Sequence, residues 1–151
     1  MRVLVVYDSS YGNTEKIAQA VCSGMKEVGL TDVECKKADA TGPEDFKQAG
    51  TWIVGSPTHF GGPTREVKKA LNIAFQTGRK DVKGAAFDTR YAKTFGGASE
   101  KIQEMMEAEG VKIIAPVERY VVTGGQGPLV EGEEAKAVSF GRRIAGSLRS
   151  A

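Results

Sequence analysis

Hydroxyl side chains and a glycine crowd into one short stretch, Ser9-Ser10-Tyr11-Gly12-Asn13-Thr14. It follows the apolar run Val3 to Tyr7 and precedes a segment with helical periodicity. A strand, a hydroxyl-rich turn and a helix start form an arrangement that binds phosphate. The first amides of a helix have no intrahelical partner, and the helix dipole places partial positive charge at that end. Ser9, Ser10 and Thr14 add hydroxyl donors, and Gly12 lets the backbone come close to an anion. No lysine or arginine lies in the turn, so it is not a Walker-type loop, and a small phosphomonoester fits better than a nucleoside triphosphate. A well-capped helix is the plainer alternative, but three adjacent hydroxyl residues exceed what one cap needs.

Two further loops carry residues of interest. Gly55-Ser56-Pro57-Thr58-His59-Phe60-Gly61-Gly62-Pro63 follows the apolar Trp52-Ile53-Val54, and Asp88-Thr89-Arg90-Tyr91 leads through Phe95 and Gly96 to Gly97. His59 is the only histidine, the side-chain type that titrates near neutral pH. Taken singly, the first loop reads as a rigid turn or a ligand loop, and Phe60, Tyr91 and Phe95 as stacking or packing aromatics.

The elements that position these loops follow from periodicity. Val3 to Tyr7 is an unbroken β-branched run, the pattern of a strand buried on both faces of a parallel sheet. Ile17, Ala18, Val21, Cys22, Met25 and Val28 fall at helical spacing, with Gly29 as the cap. A short strand at Val33–Cys35, a brief helix at 44–48 and the strand Trp52–Val54 come next. Pro63 then sits in the first turn of a helix carrying Val67, Ala70, Leu71, Ala74 and Phe75. A fourth strand, Lys83 to Phe87, breaks at Asp88-Thr89-Arg90; a helix with Ile102, Met105 and Met106 closes at Gly110. The last strand is interrupted at Pro116, and a final helix runs from about Glu133 to Leu148. Trp52 and Cys22 belong to the core.

Strand and helix alternate five times, which predicts a three-layer α/β/α sandwich around a five-stranded parallel sheet, a single domain over 1–151. The glycine- and hydroxyl-rich loops follow strands one, three and four, so they emerge together, where ligands bind in such sheets.

Composition bounds the function. The chain has 151 residues, a formal net charge of +2 with mixed signs, two cysteines and one histidine. Nucleic-acid binding, membrane insertion and a histidine-based metal site are not expected. Met1-Arg2 leads directly into the first strand with no room for a signal peptide, and Cys22 and Cys35 lie in no metal-ligand spacing, so the expectation is a cytoplasmic protein with reduced thiols.

Ser9 to Thr14 resembles the FMN-phosphate loop of flavodoxins, and Gly55 to Gly61 resembles the flavin-ring loop of that superfamily, in the form its quinone-reductase and multidomain branches use. Asp88-Thr89-Arg90 and Gly127-Pro128-Leu129 through Gly132-Glu133 are similar to archaeal and actinobacterial members. The likeness runs from Met1 to about Leu148, and the chain resembles the short-chain class. It implies FMN as cofactor, with Ser9, Ser10, Tyr11, Gly12, Asn13 and Thr14 around the phosphate. Ser56, Pro57, Thr58, His59, Phe60 and Gly61 would border the ring. The loop containing Asp88, Thr89, Arg90, Tyr91, Phe95 and Gly96 would cover the other face, through Thr89, Tyr91 or Phe95.

The resemblance further implies a low-potential carrier of one or two electrons between redox proteins such as a ferredoxin, a reductase or an iron–sulfur or flavin enzyme. The Phe60-Gly61 peptide would reorient toward flavin N5. Flavodoxins are typically strongly acidic, whereas this chain is slightly basic. A weaker electrostatic penalty on the reduced ring follows, and a less negative second one-electron potential. The competing reading is an FMN-dependent NAD(P)H:quinone oxidoreductase, against which stand the lack of an insertion for a nicotinamide and of a second dinucleotide fingerprint. A phosphoacceptor receiver is rejected, because Gly55-Ser56 stands where its aspartate would be.

Overall fold

Val3, Leu4, Val5 and Val6 are all essentially buried, and alternate side chains enter different cores: Leu4 and Val6 on one face, Val3, Val5 and Tyr7 on the other. That two-sided burial is what an unbroken β-branched run encodes in a parallel sheet. The structure, a computed structural model, describes residues 2–149; Met1, Ser150 and Ala151, which the sequence reading places in its single domain, lie outside the described residues.

The elements in order are β1 (Arg2–Tyr7), α1 (Asn13–Glu27), β2 (Val33–Lys37), a 3₁₀ turn (Ala38–Ala40), α2 (Pro43–Lys47), β3 (Ala49–Pro57), α3 (Arg65–Gln76), β4 (Lys83–Tyr91), α4 (Ala98–Ala108), β5 (Lys112–Ile113), β6 (Glu118–Val122) and α5 (Glu133–Arg149). The parallel sheet has the order β2-β1-β3-β4-β5, and β6 also pairs with β4. Two short segments with Pro116 between them thus share the fifth position, as the proline requires.

The β1–β3 neighbourhood is where strand order reverses. Trp52, Val67, Leu71 and Ile102 lie in the core under α3 and α4; Ile17, Val21, Phe140 and Ile144 lie in the core under α1 and α5. α1 and α5 touch at backbone distance, because a Cβ on Gly24 would stand 2.1 Å from Val138 O and one on Gly141 2.1 Å from Val21 O. Gly29 and Gly110, both at positive φ, close α1 and α4, and the next residue's amide reaches back to Met25 O and Met106 O.

Two sequence expectations are corrected. β4 does not break after Phe87 but runs to Tyr91, with Asp88 and Thr89 in register with Ser56 and Pro57 of β3 and with Arg119 and Tyr120 of β6. A strand tolerates those charges because Asp88 and Arg90, two residues apart on one face, neutralise each other. Pro63 precedes α3 instead of starting it, since Thr64 is the N-cap and its Oγ1 accepts the Val67 amide. Among the described residues no helix is long and apolar enough to cross a membrane.

Candidate functional site

At the carboxyl end of the sheet, four loops enclose a cavity of about 140 Å³. Its wall comprises Ser9, Ser10, Tyr11, Asn13 and Thr14 from the β1–α1 turn, and Pro57, Thr58 and His59 from the β3–α3 loop. Thr89, Arg90, Tyr91 and Thr94 come from the end of β4 and its loop, and Val122 and Gly125 from the β6–α5 loop.

The β1–α1 turn is built to leave donors free. Gly12 sits at φ 89 as the N-cap of α1, a conformation glycine adopts without steric cost. Ser9 Oγ accepts the amides of Gly12 at 3.0 Å and Glu15 at 3.3 Å, so its own hydroxyl hydrogen is left to donate. Among the described residues, the backbone amides of Ser10, Tyr11, Asn13 and Thr14 meet no acceptor. α4 is the opposite case: Thr58 Oγ1 accepts the Ala98 amide at 3.1 Å and Asp88 accepts that of Ser99 at 2.8 Å. Of these two helix starts, only that of α1 is open to an anion, and the donors there suit a phosphate group.

Contacts between loops hold the site together. Asp8 accepts the Ser9 amide at 2.9 Å and the Thr64 hydroxyl at 2.6 Å, tying the phosphate-type turn to the start of α3. Thr14 and Thr89 share a hydroxyl–hydroxyl bond of 2.9 Å. The Thr58 amide donates to Thr89 O, and Asn13 Nδ2 donates to Gln126 O. Tyr7 donates its hydroxyl to Glu15 at 3.2 Å; burial, followed by the Glu15 charge, pushes that phenol up to about 12 and keeps it a donor.

Behind the cavity lies a buried ion network. The Arg90 guanidinium, with 2% of its side chain exposed, bonds to the fully buried Asp88 carboxylate, to Ser99 Oγ and to Glu100. Hydrogen bonding to Asp88 is the largest reason Arg90 is held above its usual range. Burial opposes the Glu100 charge, but bonds from Arg90 and Ser99 outweigh it and hold that carboxyl low. Gly97 packs on the guanidinium, where a Cβ would come within 2.7 Å of Arg90 Cζ. The network therefore sets the path of the 91–97 loop.

Eleven of the sequence-predicted residues meet on the cavity wall, and seven stand elsewhere. Gly12 shapes the turn. Ser56 is buried at the loop base, donating to Pro57 O and accepting the Thr64 amide. Asp88 is consumed by Arg90 and the Ser99 amide. Phe60 and Phe95 project from the loop tips, 107% and 99% exposed, with Gly61 and Gly96 beside them at positive φ. Of the two aromatics in the 91–97 loop, Tyr91 lines the cavity, its hydroxyl 3.1 Å from where a Cβ on Gly125 would stand. His59 and Gly62 pair through both backbone bonds, and Phe60 and Gly61 at φ 51 and 76 form the tip of that tight turn. The sequence reading missed Thr94, Val122 and Gly125 as wall residues and Asp8 and Thr64 as the cross-tie; a hydroxyl at the N-cap of α3 is the one local signal for Thr64.

The flavodoxin family model matches residues 5–140. The chain belongs to the flavodoxin family. Like the family, it is an FMN-binding electron-transfer protein, and the quinone-reductase alternative is not favoured. A flavodoxin of Clostridium saccharobutylicum is 24% identical, the alignment covering 99% of this chain and 98% of that protein. The coenzyme F420H(2) oxidase of Methanothermobacter marburgensis is 27% identical over 98% of this chain, which spans only 36% of that protein. Among solved structures, a flavodoxin from the domain Archaea superposes with a TM-score of 0.86 at 24% identity, covering 99% of both chains, which shows a shared fold.

Proposed function

We propose that the chain is a single-domain carrier that holds the FMN phosphate in the β1–α1 turn and passes one or two electrons at low potential between redox proteins of the cytoplasm. The observation that carries this reading is the set of four unpartnered amides beside Ser9, facing a cavity whose remaining walls come from the other three loops. The amides of Ser10, Tyr11, Asn13 and Thr14 and the hydroxyls of Ser9, Ser10 and Thr14 take the phosphate. Of the Thr14–Thr89 hydroxyl pair, one hydrogen is used between them and the other is left for the ligand.

Pro57, Thr58, His59, Phe60 and Gly61 border one side of the ring, with Ser56 supporting that loop from below. Thr89 and Tyr91 border the other, Asp88 and Arg90 fix their strand, and Phe95 and Gly96 shape the loop tip. Bound FMN supplies the one- and two-electron chemistry, and the protein tunes it through stacking, hydrogen bonds and charge. Asp88 and Glu100 are both spent on Arg90, while Lys101 lies beside Gly62, which supports a less negative second potential than in acidic relatives. One unit charge about 6 Å away at an effective dielectric near 20 is worth roughly 3 kcal/mol.

The test is titration of apoprotein with FMN, followed by quenching of flavin fluorescence, with riboflavin as comparator. Saturable uptake of FMN, and riboflavin binding weaker by at least about 100-fold for loss of several charge-assisted bonds, is the expected result. No uptake at micromolar FMN, or equal affinity for both, refutes the site.

A further inference from the structure

The large apolar side chains that stand exposed in the described residues, Tyr11, Phe60, Tyr91, Phe95 and Val130, lie on the loops at the carboxyl end of the sheet or, for Tyr91, on the last residue of β4. Exposed apolar tips gathered at one end of a molecule mark an interaction surface. The charges around them are separated by sign. The segments 57–69 and 88–104 carry Arg65, Lys68, Lys69, Arg90, Lys93 and Lys101 against Glu66, Asp88, Glu100 and Glu104, a net of +2. Asp88 is fully buried against Arg90 and so is withdrawn from the rim, whereas Glu100 bonds Arg90 with its side chain still 43% exposed.

Arg65, Lys68, Lys69, Lys93 and Lys101 are exposed and make no ion pair among the described residues. Lys101 brings its ammonium to the Phe60 turn, 3.6 Å from where a Cβ on Gly62 would stand. Across the cavity the sign reverses: segments 9–16 and 122–136 carry Glu15, Glu131, Glu133 and Glu134 against Lys16 and Lys136, a net of −2.

We propose that the rim formed by Phe60, Phe95, Arg65, Lys93 and Lys101 is the docking surface for a small redox protein that surrounds its own centre with carboxylates. The proposal rests on the electron-carrier reading and adds the charge and position of the partner's contact. Apolar tips at the centre of a patch supply the contact that excludes water, and free cations around them steer an acidic partner. The acidic loops on the far side repel the same partner, so the charge separation also sets its orientation. A partner with a basic face meets the opposite field and is turned away from Phe60 and Phe95.

The experiment titrates the isotope-labelled, FMN-loaded protein with an acidic [2Fe-2S]-type ferredoxin made redox-inactive by gallium, and in parallel with basic zinc-substituted cytochrome c. FMN uptake is measured first on every variant, so loss of the cofactor site is read separately from loss of docking. The expected result is saturable amide shifts confined to 57–69 and 91–104 with the ferredoxin. Its affinity falls at least about tenfold between about 10 and 200 mM salt, as the Debye length shortens from roughly 30 to under 10 Å.

The double variant Lys93→Glu with Lys101→Glu lowers the low-salt affinity about tenfold and flattens the salt dependence. Lys47→Glu, at the opposite end of the sheet, leaves both unchanged. Shifts in other segments, no saturable shifts at low salt, or tighter binding of cytochrome c at this rim each overturns the proposal. The wild-type mapping stands independently of whether the variants fold.

Discussion

Replacing Arg90 by methionine tests the buried network behind the cavity most directly. In the native protein the Asp88 carboxylate is wholly inaccessible to water, and Arg90 Nε reaches Oδ1 at 2.8 Å while Nη2 bonds Oδ2. Without the guanidinium, Oδ2 keeps the Ser99 amide, but Oδ1 is left as a buried anionic oxygen with no donor at the distances present here. Methionine retains much of the apolar contact of the arginine stem, so the loss is chiefly electrostatic. Breaking a buried pair by removing one partner costs about 3–5 kcal/mol, a large share of the roughly 5–15 kcal/mol that holds a domain folded.

The assay is urea unfolding of the apoproteins Arg90→Met, Asp88→Asn and the double variant. The expected coupling between the two sites is at least about 2 kcal/mol, because once Arg90 is gone the asparagine removes the charge that made its loss expensive. Tyr91 and Thr94 follow Arg90 in the chain and line the cavity, so Arg90→Met also weakens FMN binding. An Arg90→Met protein within about 1 kcal/mol of wild type, or single losses that simply add in the double variant, refutes the reasoning.

Three other outcomes follow from the geometry. Gly141→Ala gains about 1 kcal/mol of helix propensity, but its Cβ meets Val21 O at 2.1 Å, a rigid backbone atom; overpacking of about 1–3 kcal/mol prevails, and thermal melting should show a net loss. Gly61→Ala forces an L side chain into φ 76 at the tip of the 59–62 turn, costing about 1 kcal/mol; redox titration of the FMN-loaded variant should show altered spacing of its two one-electron potentials, and unchanged spacing counts against a role for the Phe60-Gly61 peptide. At low pH, burial opposes the charges of Asp45 and Glu100, but bonds from the Gly42 amide and Lys36 to Asp45, and from Arg90 and Ser99 to Glu100, hold both carboxyls below their ordinary values of 3.8 and 4.5. Depressed folded-state values mean that this stability is present above about pH 4.5 and is lost as the pH falls through the folded values. Urea midpoints should therefore drop between pH 5 and pH 3, and the drop should shrink in Asp45→Asn.

What the amino-acid sequence by itself determined is what local physics controls. The unbroken run Val3 to Val6 required burial on both faces, and Gly29 and Gly110 marked helix ends through backbone conformation alone. The hydroxyl-rich turn before α1 marked a helix start with amides to satisfy, a local signal. That they stay free, unlike those of α4, which Thr58 and Asp88 take, was decided by the rest of the chain. Alternating strands and helices then placed three loops at one end of a parallel sheet. What only the tertiary structure decided rests on partners distant in the chain. β4 continues through Asp88 and Arg90 because strands on both sides pair with it and the two charges cancel in a dry interior. Asp8 acquires a structural role from Thr64, 56 residues away, and Thr14 from Thr89, 75 residues away. Tyr91 faces the cavity and Phe95 points outward because Arg90 and Gly97 fix the loop between them, and the net charge of +2 resolves into a basic rim and an acidic rim only when the loops meet. Side-chain direction and the summing of charge depend on neighbours in space, which the order of residues along the chain does not specify.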